Sequence, residues 1–463
     1  MTAENDSGTA TAIAAAVRAG KLKAVDIARA ALARIRRDNE KLNAFTAVTA
    51  ERALAEAARV DAQVTRGLDP GPLAGVPFAV KNLFDIAGLT TVAGSKIDRD
   101  KPPAQGDAAA VVRLNRAGAV LLGALNMDEY AYGFTTENSH DGPCRNPHDL
   151  TRVAGGSSGG SGAAVAGGLV PLTLGTDTNG SIRVPASFCG TFGLKPTYGR
   201  LTRRGAAPFV SSLDHIGPLA RSVADIATAF DAMQGPDPAD PVCTARPAEA
   251  TLPRLGEGVS GLRIAVAGDY FSRGAEPDAY DAVHRVATAL DVRREVVIPE
   301  AARARAAAFI ITASEGANLH LADLKRRPGD FDPLTRDRFL AGALVPASWY
   351  LQAQRFRRWY CARLAALFRE VDVIVAPATP CVAPPVGTDS IVLAGVEMAK
   401  RPNIGMFTQP ISFAGLPVLA VPVARPEGLP IGVQLIAAPY NEQAVLRVGA
   451  ALAVAGVAAA PVA

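Results

Sequence analysis

Residues 154–162 read Ala-Gly-Gly-Ser-Ser-Gly-Gly-Ser-Gly, and residues 175–181 read Gly-Thr-Asp-Thr-Asn-Gly-Ser. A small-residue helix at 163–168 and an apolar strand at 170–174 border these two glycine-dense turns. The turns are therefore predicted to be ordered neighbours, not parts of a flexible linker. Neither contains the G-x-x-x-x-G-K-[ST] motif of a phosphate loop or the G-x-G-x-x-G motif of a dinucleotide site. The pattern favours chemistry on a serine and no nucleotide cofactor.

Ser181, the last residue of the second turn, is the candidate nucleophile. Successive backbone N–H groups in a turn at the end of a strand can point into one concavity and form an oxyanion hole. A serine hydroxyl also needs a base that takes its proton. None of the five histidines lies in a familiar serine-hydrolase motif, so the base is expected to be another residue type.

Lys81 is the candidate base. It ends the β-prone apolar run Leu-Ala-Gly-Val-Pro-Phe-Ala-Val at 73–80, whereas most other lysines lie in polar segments. Burial would lower the pKa of its amine from about 10.4 toward roughly 7 to 8, the range that suits a general base. The alternative is a lysine that pairs with Asp85 or extends to solvent from the strand end. Only the combination with the two serine turns favours catalysis.

Helix and strand patterns alternate along the chain. The apolar spacing predicts helices within 9–66 and at 108–118, and a buried strand at 119–125. Residues 234–258 are aperiodic and rich in Pro, Asp, Ala and Gly, which is typical of an exposed excursion. Three later apolar runs have the composition of strands buried on both faces of a sheet: 371–377, 418–422 and 431–436. The alternation indicates an α/β fold.

Composition excludes several classes of protein. Hydrophobic residues at 49% and charged residues at 20% indicate a globular chain. The 48 basic and 44 acidic residues are scattered, so direct nucleic-acid binding is not expected. Five widely spaced cysteines without a C-x-x-C pair indicate neither a disulfide framework nor a zinc site, and no metal-ligand spacing occurs. With no signal peptide and no run of about 18 apolar residues, we expect a soluble cytoplasmic protein that does not bind membranes.

The two turns and the upstream lysine resemble the amidase signature family. That family has a Gly-Gly-Ser-Ser-Gly-Gly-Ser segment, here at 155–161, followed by a nucleophilic serine. The stretches 182–199 and 212–218 match it as well, and the resemblance covers nearly the whole chain. It implies a single α/β domain with a central mixed β-sheet between helical layers, although length alone favours two domains.

The resemblance also implies a role for each site residue. Ser181 forms the acyl-enzyme, Ser157 is the relay and follows a cis peptide bond, and Lys81 is the base, while the neighbouring Ser158 is structural. Asn179 stands where the family often has glycine, which can narrow the pocket or reposition a substrate. The oxyanion hole is formed by the backbone amides of Thr178, Asn179, Gly180 and Ser181.

Arg183 has two interpretations, which the sequence leaves open. It can bind a substrate carboxylate by a bidentate contact, or it can brace the turn by pairing with Asp177 or another acid. Cys144 and Cys189 lack an evident basic partner and are interpreted as buried packing residues, not as nucleophiles.

The resemblance implies a division of the single domain, 1–463. It has an N-terminal helical layer (1–70), a signature core with the triad (71–225), the exposed excursion (234–258) and a C-terminal α/β part that contributes to the substrate pocket (259–463).

Two subfamilies are similar to this chain. One is the biuret and 1-carboxybiuret hydrolases, which cleave small ureido or amide compounds, and the other is the glutamine-hydrolysing A subunit of the tRNA-dependent amidotransferase. Asn179 and the segment 407–417 look more like the first. A non-catalytic scaffold protein is a third alternative. The resemblance implies a small-molecule amide substrate and no cofactor; it leaves open a homo-oligomer and a small helical accessory subunit.

Overall fold

A computed structural model of the protein describes residues 8–425 and 427–463. The strands in these ranges are β1 (Phe45–Val48), β2 (Pro77–Lys81), β3 (Val120–Leu125), β4 (Glu137–Asn138), β5 (Gly142–Pro143), β6 (Arg145–Asn146), β7 (Asp149–Val153), β8 (Leu172–Asp177), β9 (Phe192–Lys195), β10 (His215–Ala220), β11 (Ile264–Ala267), β12 (Glu295–Val296), β13 (Val373–Pro377), β14 (Ser390–Leu393), β15 (Val396–Ala399), β16 (Val418–Pro422) and β17 (Gly432–Ala437).

The α-helices in the same ranges are α1 (Ala10–Arg18), α2 (Ala24–Leu42), α3 (Ala50–Thr65), α4 (Ala109–Arg116), α5 (Gly159–Ala166), α6 (Arg183–Cys189), α7 (Val223–Met233), α8 (Pro277–Ala289), α9 (Ala301–Arg326), α10 (Pro333–Ala343), α11 (Ala347–Leu367), α12 (Lys400–Ile404), α13 (Gln409–Phe413) and α14 (Glu442–Val454). Short 3-10 helices occur at Ile97–Asp100, Glu129–Ala131, Leu252–Glu257, Asp269–Ser272 and Pro328–Asp330.

Eleven strands form one mixed sheet in the order β1-β3-β2-β8-β10-β9-β16-β17-β13-β11-β12. The pairs of β2 with β3 and of β2 with β8 are parallel, whereas β10 pairs with β8 in the antiparallel sense. Strands β2, β3, β8, β13, β16 and β17 are buried along their whole length, so helices cover both faces of the sheet. The expected single α/β domain with a central mixed sheet is confirmed.

The parallel strands set the position of the site. Strand β2 lies between β3 and β8 and runs in the same direction as both. All three strands therefore end at the same edge of the sheet, where the polar residues that follow apolar runs meet. Lys81 closes β2 at this edge, and Asp177 closes β8.

The structure differs from the sequence-based boundaries at several places. Helix α5 begins at Gly159, inside the first glycine-dense turn, because the glycines and serines of this turn are themselves helical. The region 9–66 also contains the strand β1, which four residues between two helices did not reveal. The hairpin of β14 and β15 was not predicted. Short-range patterns do not show such small elements, since tertiary pairing decides them.

The segment 234–258 is anchored in its first part and again at Thr251, whose backbone N–H and hydroxyl donate to Asp231. Asp237 and Asp240 are buried and bind Arg204 and Arg203. Residues 245–250 are exposed. The first part of the segment therefore packs on the signature core.

Candidate active site

Lys81 is buried at the end of β2 and contacts two hydroxyl groups. Its Nζ lies 2.6 Å from Ser157 Oγ and 2.9 Å from Thr176 Oγ1. Thr176 belongs to the neighbouring strand β8, and Ser157 precedes helix α5. The strand pairing of β2 with β8 brings one of these hydroxyls to the amine, and the first glycine-dense turn brings the other.

Burial determines the protonation of this lysine. The side chain is fully excluded from solvent, and this burial lowers the pKa of the Lys81 amine to about 7. The carboxylates of Asp128, Asp214 and Asp177 act in the opposite direction and are the weaker influence. A neutral amine offers a lone pair that can take the proton of a hydroxyl at hydrogen-bond distance. Lys81 is therefore suited to act as a base near neutral pH.

Two other lysines are also buried, which the sequence did not indicate. Lys195 is fully buried and donates to the carbonyl oxygens of Pro196 and Leu416. Lys400 forms an ion pair with Glu137, at 3.0 Å. Backbone carbonyls and a carboxylate are the partners of structural lysines. What distinguishes Lys81 is its contact with a serine hydroxyl.

The backbone immediately before Ser157 is tightly packed against its neighbours. The peptide bond from Gly156 to Ser157 is cis, as the family resemblance implies. A Cβ atom at Gly156 would lie 2.2 Å from a carboxylate oxygen of Asp128. A Cβ atom at Gly155, whose φ is +82°, would lie 2.9 Å from the backbone of Pro185. Glycine is required at both positions because neighbouring groups occupy the space of a side chain.

The two glycine-dense turns are neighbours, as expected. The backbone N–H of Ser158 donates to the carbonyl oxygen of Ser181, at 3.3 Å. The hydroxyl of Ser158 donates to the carbonyl oxygen of Thr176 and accepts from its backbone N–H. Ser158 therefore links the first turn to strand β8, which is the structural role that the resemblance implies.

Ser181 follows β8 and precedes α6, in the second turn. It keeps 3% of its surface exposed, whereas Lys81 and Ser157 keep none. Among the residues that the structure describes, none accepts a hydrogen bond from the backbone N–H groups of Thr178, Asn179, Gly180 or Ser181. Four unpaired donors beside a serine hydroxyl are the groups that an oxyanion would need.

Side chains of distant segments hold this turn. The hydroxyl of Thr178 donates to Asp214, at 2.6 Å. The side-chain Nδ2 of Asn179 donates to the hydroxyl of Thr312 on α9, at 2.8 Å. The backbone carbonyl oxygen of Asn179 accepts from the hydroxyl of Thr408, at 2.7 Å. The Asn179 Oδ1 atom is buried and has no partner among the described residues. The residue that departs from the family pattern is therefore clamped against α9.

Arg183 is fully buried at the start of α6 and makes a bidentate ion pair with Asp177. Its Nε and Nη2 atoms lie 2.9 and 3.0 Å from the two carboxylate oxygens. Its Nη1 donates to Gln434, at 2.9 Å, and its Nη2 also binds Ser412. With every nitrogen of the guanidinium engaged, this geometry favours the bracing interpretation over substrate binding.

The sequence did not indicate that Thr176, Asp128 and Asp214 contribute to the site. It indicated Asp177 only as one alternative partner of Arg183. Thr176 and Asp177 lie in the second glycine-dense turn, but their contacts depend on β2 and α13. Asp128 and Asp214 follow or precede buried strands, which is the signal that could have identified them. Burial raises the pKa of both Asp128 and Asp214.

Cys144 and Cys189 are buried, and burial raises the pKa of both thiols. Burial thus disfavours the thiolate form that a nucleophile needs, which fits the packing role expected for both residues. Within 8–425 and 427–463, no group of three or more His, Cys, Asp and Glu side chains could hold a metal ion. In the same ranges, every helix is too short or too polar to cross a membrane.

A cavity of about 160 Å³ lies on the Thr176 side of the lysine. Leu83, Ala131, Phe209 and Asp214 are among the residues around it. Thr176, whose hydroxyl contacts Lys81, also lines this cavity.

The chain is similar to known proteins over most of its length, and it belongs to the amidase family. A family model described as Amidase matches residues 26–446. The chain is 57% identical to AtzE, the 1-carboxybiuret hydrolase subunit of Pseudomonas sp. (strain ADP), over 96% of this chain and 97% of that protein. It is 40% identical to the glutamyl-tRNA(Gln) amidotransferase A subunit of Roseiflexus sp. (strain RS-1), over 94% and 93% of the two chains.

A solved structure is similar over almost the full length. It belongs to a vestigial protein complex that "reveals the evolutionary origins of an s-triazine catabolic enzyme". The TM-score is 0.97 at 56% identity, and the match covers 98% of this chain and 100% of that one.

Proposed function

We propose that this chain, which belongs to the amidase family and is an amide-hydrolysing enzyme, cleaves a C–N bond of small ureido compounds of the 1-carboxybiuret type. We further propose that it does so through an acyl-enzyme on Ser181. The observation that carries the mechanism is the contact of a buried lysine with Ser157, at 2.6 Å, beside a turn with four unpaired amides.

In the proposed reaction, the Ser181 oxygen attacks the carbonyl carbon of the substrate. Its proton passes to Ser157, and the proton of Ser157 passes to the neutral amine of Lys81. The negative charge that develops on the carbonyl oxygen is stabilised by the amides of 178–181. The tetrahedral intermediate then expels ammonia or an amine, which receives the proton back through Ser157.

The second half of the reaction repeats these transfers with water. A water molecule attacks the acyl-enzyme and gives its proton to Ser157, which passes a proton to Lys81. When the intermediate collapses, the proton on Lys81 returns through Ser157 to the Ser181 oxygen, which leaves as the hydroxyl, and the acid product is released. Ser157 and Lys81 carry every proton transfer in this scheme. Lys81 is neutral again at the end of acylation and at the end of deacylation.

The substrate class is supported by the degree of similarity to each subfamily. The 1-carboxybiuret hydrolase subunit is 57% identical, whereas the amidotransferase A subunits of several bacteria are 37 to 41% identical. Asn179, which lies two residues before the nucleophile, is the local departure from the glycine that the family often has. A small helical accessory subunit is part of the proposal, because the similar solved chain belongs to a protein complex.

Ammonia release from three compounds tests the proposal. The purified protein is incubated with 1-carboxybiuret, with biuret and with glutamine, and Ser181→Ala serves as the inactive control. We expect the ureido compounds to be hydrolysed with the higher kcat/KM. A preference for glutamine that grows when charged tRNA and partner subunits are added would refute the substrate class and support the amidotransferase alternative.

A further inference from the structure

Asp128 is a buried carboxylate beside the backbone that carries Ser157. It lies three residues after β3, the strand that neighbours β2. Its Oδ2 atom accepts from the backbone N–H groups of Thr136, at 3.0 Å, and Thr135, at 3.3 Å. On the other oxygen, Arg401 Nη2 lies 3.5 Å away. The carboxylate thus closes the loop 128–136, and Thr136 at the end of this loop contacts the first glycine-dense turn.

The carboxylate also occupies the space that a side chain would take at two glycines, Gly156 and Gly133. A Cβ atom at Gly156 would lie 2.2 Å from Oδ2, and one at Gly133 would lie 2.2 Å from the carboxyl carbon. The side chain of Asp128 therefore packs directly on the residue that precedes Ser157. Neither glycine could carry a side chain without displacing it.

Thr136 extends this contact to the other side of Ser157. Its hydroxyl accepts from the backbone N–H of Gly159, the first residue of α5, at 3.1 Å. Its own N–H is held by Asp128. One carboxylate consequently supports the backbone both before Ser157, by packing on Gly156, and after it, through Thr136.

The charge of Asp128 acts on the lysine as well. The carboxylates that face Lys81 are Asp128, Asp214 and Asp177, and the first of these has the largest effect. Asp177 is neutralised by its bidentate pair with Arg183, and Asp214 is bound by Thr178 and by two backbone N–H groups. The charged and titratable groups that face Asp128 itself are Arg401, Arg338, Asp332, Lys81 and Cys144.

We propose that Asp128 is a positioning residue for the Lys81–Ser157 pair, which it serves by holding the backbone on both sides of Ser157 and by placing a negative charge toward the lysine. This inference rests on the proposed function, since it assumes that the pair takes part in catalysis. Asp128 touches no reacting atom and acts through its neighbours.

The pH profile of Asp128→Asn tests the proposal. The asparagine keeps an acceptor for Thr135 and Thr136 but loses the charge. Without the negative charge, the protonated form of Lys81 is less favourable, so its pKa falls. We expect the acid limb of kcat against pH to move downward by on the order of one pH unit, with a lower plateau because the pair with Arg401 is lost. A purely structural role would lower the plateau without moving the limb.

Glu129→Gln is the matched control. Glu129 is the next residue and is also a buried carboxylate, but it binds Thr335, the backbone N–H of Asp332 and His140 on the α10 side. The acid limb of this variant should coincide with that of the wild-type protein. If Asp128→Asn does not fold, as judged by circular dichroism, Asp128→Ser carries the same test, since its shorter side chain cannot crowd Gly156.

Two results would overturn the inference. One is an acid limb that does not move in Asp128→Asn, and the other is an equal shift in Glu129→Gln. Failure of the proposed function looks different. In that case Ser181→Ala would keep its activity, or the wild-type profile would lack an acid limb near pH 7, whatever the Asp128 variants do.

Discussion

The amine of Lys81 lies 2.6 Å from the hydroxyl oxygen of Ser157, and both atoms belong to side chains without solvent exposure. The two residues are separated by 76 positions in the sequence. A buried amine in contact with a buried hydroxyl can exchange a proton with it without competition from water. Catalysis is therefore expected to depend on this pair and on the groups that hold it.

Replacement of Ser181 by alanine should abolish turnover and leave the fold intact. The nucleophile makes the covalent intermediate, and removal of such a residue costs on the order of 10⁴-fold to 10⁶-fold in kcat. Ammonia release measures the loss, and thermal unfolding checks the fold. Ser161→Ala is the matched control: its hydroxyl donates to the carbonyl oxygen of Leu174, so we expect near-normal activity and a loss of about 1 kcal/mol of stability. Near-normal turnover by the Ser181 variant would contradict the nucleophile assignment.

The activity of the wild-type protein should rise with pH through about 7, the pKa to which burial lowers Lys81. Below that pH the amine is protonated and cannot accept the proton of Ser157. The measurement is kcat against pH from about 5.5 to about 9, at on the order of ten points. Activity that is independent of pH across this range would exclude Lys81 as the base.

Lys81→Ala should remove most activity at neutral pH and recover part of it in alkaline buffer. Hydroxide can then take the place of the missing amine as the base. The wild-type enzyme does not need hydroxide, because Lys81 is the base. Rates at about pH 7 and at about pH 10 are compared for the two proteins. A variant that is as active as the wild type at neutral pH would show that the amine takes no part.

Thr176→Val should lower kcat about tenfold and leave KM unchanged. Its hydroxyl lies 2.9 Å from the Lys81 amine, and loss of one such hydrogen bond corresponds to about 1 to 1.5 kcal/mol. The control is Thr173→Val on the same strand, whose hydroxyl donates to the carbonyl oxygen of Ser161. Steady-state kinetics of both variants provide the comparison, and an equal loss of kcat in the two would argue against a specific role of Thr176.

Arg183→Gln should destabilise the protein by about 3 to 5 kcal/mol, because it leaves the buried charge of Asp177 without its partner. The free energy of unfolding in urea measures the effect. Arg263→Gln is the matched control: it breaks a bidentate pair with Asp372 at the surface, where water and salt screen the charges, and should destabilise the protein far less. Similar losses in the two variants would mean that the bracing contact contributes little.

The ion pair between Arg183 and Asp177 makes the free energy of unfolding depend on pH. Burial alone would raise the pKa of Asp177, but the charge of Arg183 holds it below its usual range. The unfolded chain therefore binds a proton before the folded chain does. The stabilisation is complete above the unfolded pKa of roughly 4 and is lost as the pH falls through the folded value. Urea unfolding of wild type and Arg183→Gln at about pH 7 and roughly pH 3 should show a smaller difference in acid.

The sequence indicated the fold where patterns are local. The apolar runs that became β2, β3, β13, β16 and β17 were identified because strands buried on both faces need uninterrupted hydrophobic residues. The helix α4 followed from its apolar spacing. Strand β1 and the hairpin of β14 and β15 were missed, since a four-residue strand has no periodicity of its own and exists only through its partner.

For the site, the identity and order of Lys81, Ser157 and Ser181 could be read from the chain, because glycine-dense turns and a lysine at the end of an apolar strand are visible there. The contacts of these residues could not, since they depend on how the chain folds back on itself. Asp177, the ion-pair partner of Arg183, is only six positions away, but the other side-chain partners of Asn179 and Arg183 lie 133 to 251 positions away, on α9, α13 and β17. The order of strands in the sheet and the packing of the helices bring such segments together, and no local pattern records which distant side chain will fill the space beside a turn.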